Sequence, residues 1–237
     1  MRPASLCAHM VRLVLFDIDG TLVHTGRAGI RAFAQVFASE FGARDGIERM
    51  KFAGRTDVSL VREFFGLHGI PATDSNFARF FERYVHWLHH LLEESQTEEC
   101  PGVRKLIADL QALPEPPLLG LLTGNVRLGA EIKLRHFGLW EHFETGGFAD
   151  DDEDRNKIAA VAHQRGSRVL GRELRGEEIV VIGDTPFDIR CGRAIGAKVL
   201  AVATGGSSFA ELETHRPDWL VEDVRGLRAE ELVHNGG

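Results

Sequence analysis

The chain predicts an α/β protein: a parallel sheet core interrupted early by a mostly helical block. Three observations carry that prediction. Leu13-Val14-Leu15-Phe16 is an apolar, β-prone run that reads as a buried strand and leads into Asp17 and Asp19. From about Arg27 to Glu94 apolar residues recur at helical spacing instead. Beyond Pro101 short apolar runs return and alternate with helical patterns, as expected of βα units on a parallel sheet.

Strand side chains alternate, so Asp17 and Asp19 should point to one side. Gly20-Thr21 reads as a turn that brings backbone close to a ligand. A plain Asp-Gly hairpin turn is the competing reading. In the helical block, Ile30, Phe33, Phe37 and Phe41 fit one face. Val58, Val61, Phe64 and Phe65 fit a second, ended by Gly66 and Gly69. Thr73 or Asp74 caps a third helix, whose apolar face runs through Phe77, Phe80, Phe81, Tyr84, Val85, Leu88, Leu91 and Leu92. These aromatics read as helix-bundle core. His86, His89, His90, Glu93 and Glu94 fall off that face and read as a solvated polar surface. Later strands are expected at 118–122, 178–182, 198–203 and 219–221, and a weaker one at 143–148. Helices are expected at 103–113, 128–137, 156–165 and 187–195.

The implied division is a sheet core of residues 1–23 and 99–237 with a helical cap domain of residues 24–98. A length of 237 residues suits one domain with such an insertion. A net charge of −7 argues against nucleic acid, whose phosphates attract the opposite sign. No apolar run approaches the roughly 20 residues of a membrane span, so no membrane partner is expected. Residues 1–10 lack the apolar stretch of a signal peptide and read as a loosely attached extension, with a start at Met10 as the alternative. Cys7, Cys100 and Cys191 lack metal-ligand spacing and read as free thiols in a reducing, cytoplasmic setting. Nothing in the pattern specifies an oligomeric state.

Ligands of open α/β sheets bind beyond the carboxyl ends of the strands. Here those ends carry Asp17 and Asp19, then Thr123-Gly124-Asn125, then Gly183-Asp184. Carboxylate oxygens suit Mg²⁺, which takes one or two carboxylates plus water and phosphate oxygens. Thr123 and neighbouring backbone N–H groups suit phosphoryl oxygens. The cation that such a site also needs is offered by Arg155 and Lys157 near a helix start.

DIDGT at 17–21, LLTGN at 121–125 and IGDTPFD at 182–188 resemble the haloacid dehalogenase-like hydrolase superfamily. More narrowly, the chain resembles its phosphoglycolate phosphatase-type members, which insert a helical cap after the first motif of a Rossmann-like core. The resemblance covers nearly all of the chain beyond Met10. It implies a Mg²⁺-dependent phosphatase of a small-molecule phosphate ester, phosphoglycolate-like. Asp17 is then the nucleophile that forms an aspartyl-phosphate. Asp19 protonates the leaving alcohol and later activates water. Mg²⁺ sits between Asp17, the backbone carbonyl of Asp19 and Asp184. Asp188 is a further metal ligand or a support behind it, or simply a first-turn helix acid. Gly20, Thr123 and Gly124 belong to the phosphate-binding turns.

One segment departs from the family pattern. The usual Lys-Pro before the helix after the third strand is absent, and 150–157 reads DDDEDRNK. Arg155 shares a helix face with Ile158, Ala159 and Ala162, which aims it at the sheet and the site. Arg155 is therefore the expected phosphate-side cation and Lys157 the second choice; both as solvated helix residues is the alternative. In the cap, Ala53-Gly54-Arg55-Thr56-Asp57 resembles the loop that reaches over substrate, with Arg55 on the substrate or simply an ordinary loop residue paired near Asp57. His24 and Arg27 are weaker candidates. Asp19 favours phosphate chemistry over dehalogenation. Arg55 stands where phosphonoacetaldehyde hydrolases carry a Schiff-base lysine, and a guanidinium cannot form that bond. The position of the mutases' cap-hinge histidine falls at about Gly29, which has no side chain. A phosphotransferase or mutase, and a non-catalytic partner-binding protein, remain the alternatives to hydrolysis.

Overall fold

The computed structural model describes residues 10–234, so the extension at 1–9 and Cys7 lie outside the described residues. Met10 itself bridges His234 in antiparallel fashion and packs against the core. The first strand, β1 (Leu13–Phe16), is buried along its whole length. It lies at the centre of a six-stranded parallel sheet. The other strands are β4 (Leu118–Leu122), β5 (Thr145–Gly147), β6 (Ile179–Gly183), β7 (Lys198–Val202) and β8 (Trp219–Val221), in the order β5-β4-β1-β6-β7-β8. Leu13 pairs with Leu118 on one side and Ile179 on the other, so β1 has no free edge.

Both faces of the sheet are covered, which explains why its strands are continuous apolar runs rather than alternating ones. Val14 and Phe16 face a cluster that includes Leu106, Leu110 and Leu134, from α4 (Val103–Gln111) and α5 (Arg127–His136). Leu13 and Leu15 face the opposite cluster with Ile158, Ala162 and Ile189, from α6 (Arg155–Val169) and α7 (Pro186–Ala194). Each large apolar side chain so buried contributes roughly 1.5–3 kcal/mol. Short helices α8 (Phe209–Thr214) and α9 (Ala229–Val233) complete the layers. The order of strands turns around at β1, with β4 on one side and β6 on the other, and opens a crevice at their carboxyl ends.

The helical insertion lies between β2 (Val23–His24) and β3 (Glu98–Glu99), which pair as an antiparallel ribbon and hold its two ends together. Its helices are α1 (Ala28–Phe41), α2 (Asp57–Leu67) and α3 (Asp74–Glu94). Thr56 and Thr73 cap α2 and α3 by accepting the backbone N–H of Ser59 and Asn76. The rings of Phe33, Phe37, Phe64, Phe65 and Phe80 fill the centre. Ile30, expected on that face, is only partly buried and lines the crevice instead. The same apolar cluster takes in Val126 and Ala149, so the insertion packs against the sheet layer rather than standing apart from it. Glu178 also differs from expectation: it precedes β6, where Arg172 holds its carboxylate down at about 2.

Candidate active site

Asp17 follows β1 directly and donates its N–H to Ile182 O across β6 (2.9 Å). Its carboxylate is buried. The chain then turns at Gly20, whose φ is +82° and whose missing Cβ would stand 2.7 Å from an Asp184 oxygen. Glycine is thus needed at 20 both for conformation and for space. Asp184, just past β6, accepts Thr21 Oγ1 on Oδ1 (3.2 Å) and the Gly206 N–H on Oδ2.

Asp17, Asp184 and Asp188 form one buried group whose ligand oxygens all lie within 4.8 Å of one another. Burial pushes Asp17 up to about 6, against the pull of Arg155. Burial and the neighbouring Asp188 and Asp17 raise Asp184 well above the usual carboxylate range. Crowded, desolvated carboxylates of this kind favour a proton or a cation. An all-oxygen donor set fits a hard divalent ion such as Mg²⁺. Asp19 contributes no side-chain oxygen to this group. Asp188 is the most occupied of the three: its Oδ2 accepts the Thr185 N–H (3.0 Å) and hydroxyl (2.6 Å), and its Oδ1 accepts Arg155. It therefore also caps α7.

Arg155 begins α6 and turns inward as its spacing with Ile158, Ala159 and Ala162 requires. Its Nη2 lies 2.9 Å from Asp17 Oδ1 and also donates to Asp188 and to Leu122 O (3.3 Å). Its Nε is buried without a hydrogen-bond partner among the described residues. Lys157 corrects the second choice made from sequence. Two residues further round the helix, it faces solvent, pairs with Asp152 at 3.1 Å and lines no part of the crevice.

Asp19 belongs to a second group. Lys133 Nζ sits 2.6 and 2.8 Å from its two carboxylate oxygens and 2.6 Å from Asn125 Oδ1. Asn125 Nδ2 in turn donates to Asp19 (2.8 Å) and to Thr123 Oγ1 (2.8 Å). Burial alone would raise Asp19, but the Lys133 ammonium and these hydrogen bonds hold it below the usual range. Its carboxylate still opens on the crevice, with 45 % of the side chain accessible. Sequence reasoning assigned Lys133 no role and Asn125 none beyond its motif. The available signal was Lys133's place on one helical face with Ala130 and Leu134, where a lysine needs a partner.

The insertion meets this group directly. Asp57 donates its N–H to Gly124 O (2.7 Å), and its Oδ2 accepts the Val126 N–H (2.9 Å). A Cβ on Gly124 would lie 2.2 Å from Arg55 O, so glycine at this position is what admits the cap backbone. Arg55 lines the crevice, but its guanidinium is turned to Glu63 and Ser59 within the cap. His24 and Arg27 also line it. The crevice measures about 490 Å³, reaching from Asp17 and Thr123 to Ile30, Phe52 and Tyr84.

Residues 14–202 match the model of the haloacid dehalogenase-like hydrolase family. The chain belongs to that family and is a phosphatase-type hydrolase. It is 27% identical to pyrophosphatase PpaX of Bacillus pumilus, over 92% of this chain and 95% of the relative. Among solved structures, CbbY from Rhodobacter sphaeroides in complex with phosphate superposes with a TM-score of 0.72 at 20% identity, covering 92% of this chain and 96% of the other. A predicted phosphoglycolate phosphatase from Haemophilus somnus gives 0.70 at 18% identity, covering 94% and 96%. Likeness at that identity concerns the fold. Among the described residues no helix is long and apolar enough to cross a membrane.

Proposed function

We propose that this chain is a Mg²⁺-dependent phosphomonoester hydrolase of a small organic phosphate, phosphoglycolate-like in size, working through an aspartyl-phosphate on Asp17. The observation that carries this reading is the pairing of two unlike carboxylates at one strand end. Asp17 is buried against Arg155 and beside Asp184, whereas Asp19 opens on the crevice under the hold of Lys133 and Asn125.

Asp17 Oδ attacks phosphorus, and the ester oxygen leaves with a proton from Asp19. In the second step Asp19 takes a proton from the water that attacks the aspartyl-phosphate. Its ionised resting state suits that base role; the acid role requires it to be protonated before the ester bond breaks. Thr123 Oγ1 and the Gly124 N–H of the turn after β4 orient phosphoryl oxygens, and Arg155 offsets their charge. Asp17 and Asp184, with the Asp19 backbone carbonyl, would hold Mg²⁺, and Asp188 joins or supports them. When bound, the ion supplies positive charge that offsets repulsion between the Asp17 carboxylate and the phosphate. The cap shields the site from bulk water.

The PpaX relatives suggest a second reading, inorganic pyrophosphate as substrate. The exposed Arg27 at the crevice, with no side-chain partner among the described residues, favours it as a cation for a distal phosphate. We also infer a cytoplasmic setting, in keeping with the free thiols Cys100 and Cys191. Assay of a phosphomonoester panel plus pyrophosphate, with Mg²⁺ and with EDTA, tests the reading. Turnover that is abolished by EDTA and by Asp17→Asn is expected. Equal turnover by Asp17→Asn would overturn it.

A further inference from the structure

Tyr84 lies on α3 of the insertion, 1 % exposed, with its ring packed edge-on against Phe33 at 4.9 Å. The ring belongs to the helical core. Its hydroxyl has no hydrogen-bond partner among the described residues, and Tyr84 lines the crevice. The hydroxyl therefore opens on the crevice, where a ligand can partner it. Beside it is Lys133, 4 % exposed, whose ammonium already holds Asp19.

Gly29 stands between the two. It occupies the first turn of α1 without a positive φ, so the backbone does not require glycine there. Glycine weakens a helix relative to alanine. What glycine leaves open is space: a Cβ at 29 would point to Tyr84 Oη at 3.6 Å and Lys133 Nζ at 3.7 Å.

We propose that Gly29, Tyr84 and Lys133 form a niche for a hydroxyl group on the alcohol half of the phosphoester. The proposal rests on the phosphatase reading above and narrows its substrate class to monophosphates of hydroxylated alcohols. Lys133 grips the same Asp19 that serves the ester oxygen, so a group reaching its ammonium lies only a short chain length from that oxygen. A hydroxyl matches the chemistry of the walls. It accepts from Lys133 or Tyr84 and donates to Tyr84 or to a carboxylate of Asp57 or Asp19, all of which line the crevice. A carboxylate only accepts, and would stand beside Asp19 with the single Lys133 charge already shared.

The test compares kcat/KM, with Mg²⁺, for glycerol 1-phosphate, n-propyl phosphate and phosphoglycolate. The native chain should prefer glycerol 1-phosphate over both by roughly tenfold, the scale of one well-made hydrogen bond. Tyr84→Phe keeps the packed ring and removes only the hydroxyl. It should lower the glycerol-to-propyl ratio several-fold. Gly29→Ala, whose new methyl meets its neighbours at ordinary contact distance, should lower the same ratio by filling the niche. If Tyr84→Phe does not fold, the native ratio and Gly29→Ala decide. A native ratio near one, a ratio unmoved in the folded variants, or a preference for phosphoglycolate overturns the niche. Absence of turnover on every phosphomonoester overturns the phosphatase reading instead.

Discussion

The Lys133 ammonium lies 2.6 Å from one carboxylate oxygen of Asp19 and 2.8 Å from the other. The two side chains come from α5 and from the turn after β1, 114 residues apart in sequence. Because the Asp19 carboxylate also opens on the crevice, loss of the lysine leaves it solvated and misdirected rather than trapped. Lys133→Met should therefore lower kcat by about 10²-fold, the scale of a positioned acid–base group. The melting temperature should move little. Steady-state kinetics beside a melting curve check this, and an unfolded variant would instead make Lys133 a structural residue.

Arg155 and Lys157 should behave as opposites. Arg155 is the cation that lies between the buried carboxylates of Asp17 and Asp188. Its replacement by Met leaves those carboxylates facing one another, a loss of about 3–5 kcal/mol for a broken buried pair. Added Mg²⁺ should recover part of that loss, and should stabilise Arg155→Met more than the native chain. Lys157→Ala, which removes only an exposed pair with Asp152, should leave turnover and melting unchanged. Thermal unfolding with and without Mg²⁺ separates the two.

Gly124 is where the cap docks on the turn after β4. Gly124→Ala places a methyl 2.2 Å from Arg55 O, so the cap loop must retreat. Displacement of about an ångström near reacting groups costs up to about 10²-fold. We expect kcat/KM to fall by that order while the sheet core melts as before.

Asp57 makes stability pH-dependent. Burial raises it from an ordinary 3.8 to about 7, although Lys133 and the Val126 N–H oppose the shift. Asp19 and Asp150 push it further up. A raised carboxyl binds its proton more tightly when folded. Its proton therefore contributes stability that is fully present below about pH 4, is lost as pH rises through about 7, and adds no slope beyond that. The slope contributed is at most about 1.4 kcal/mol per pH unit. Melting curves between pH 5 and 7 should show this slope in the native chain and a flatter one in Asp57→Asn.

Much of this site was legible in the sequence, for identifiable reasons. The run into Asp17 and Asp19 is readable because β1 is buried on both faces and so is apolar throughout. Arg155 is readable because its neighbours at helical spacing are small and apolar. Lys133 is not, because a lone lysine on a helix usually lies in solvent and its partner is 114 residues away. Asp57 begins α2, and nothing local in the sequence says that it grips the loop after β4. The ribbon of β2 and β3 is two residues per strand, too short for any period to show.

The central claim is that Asp17 carries the phosphoryl group. Acid-quenched turnover of an Asp19→Asn variant on p-nitrophenyl phosphate, whose leaving group departs without a proton while water activation is impaired, tests it most directly. Labelled substrate phosphate should be found by mass spectrometry on Asp17, and should be missing when Asp17 is replaced by Asn. Substrate turnover with no phosphoryl group on Asp17, or with one on another residue, would contradict the account.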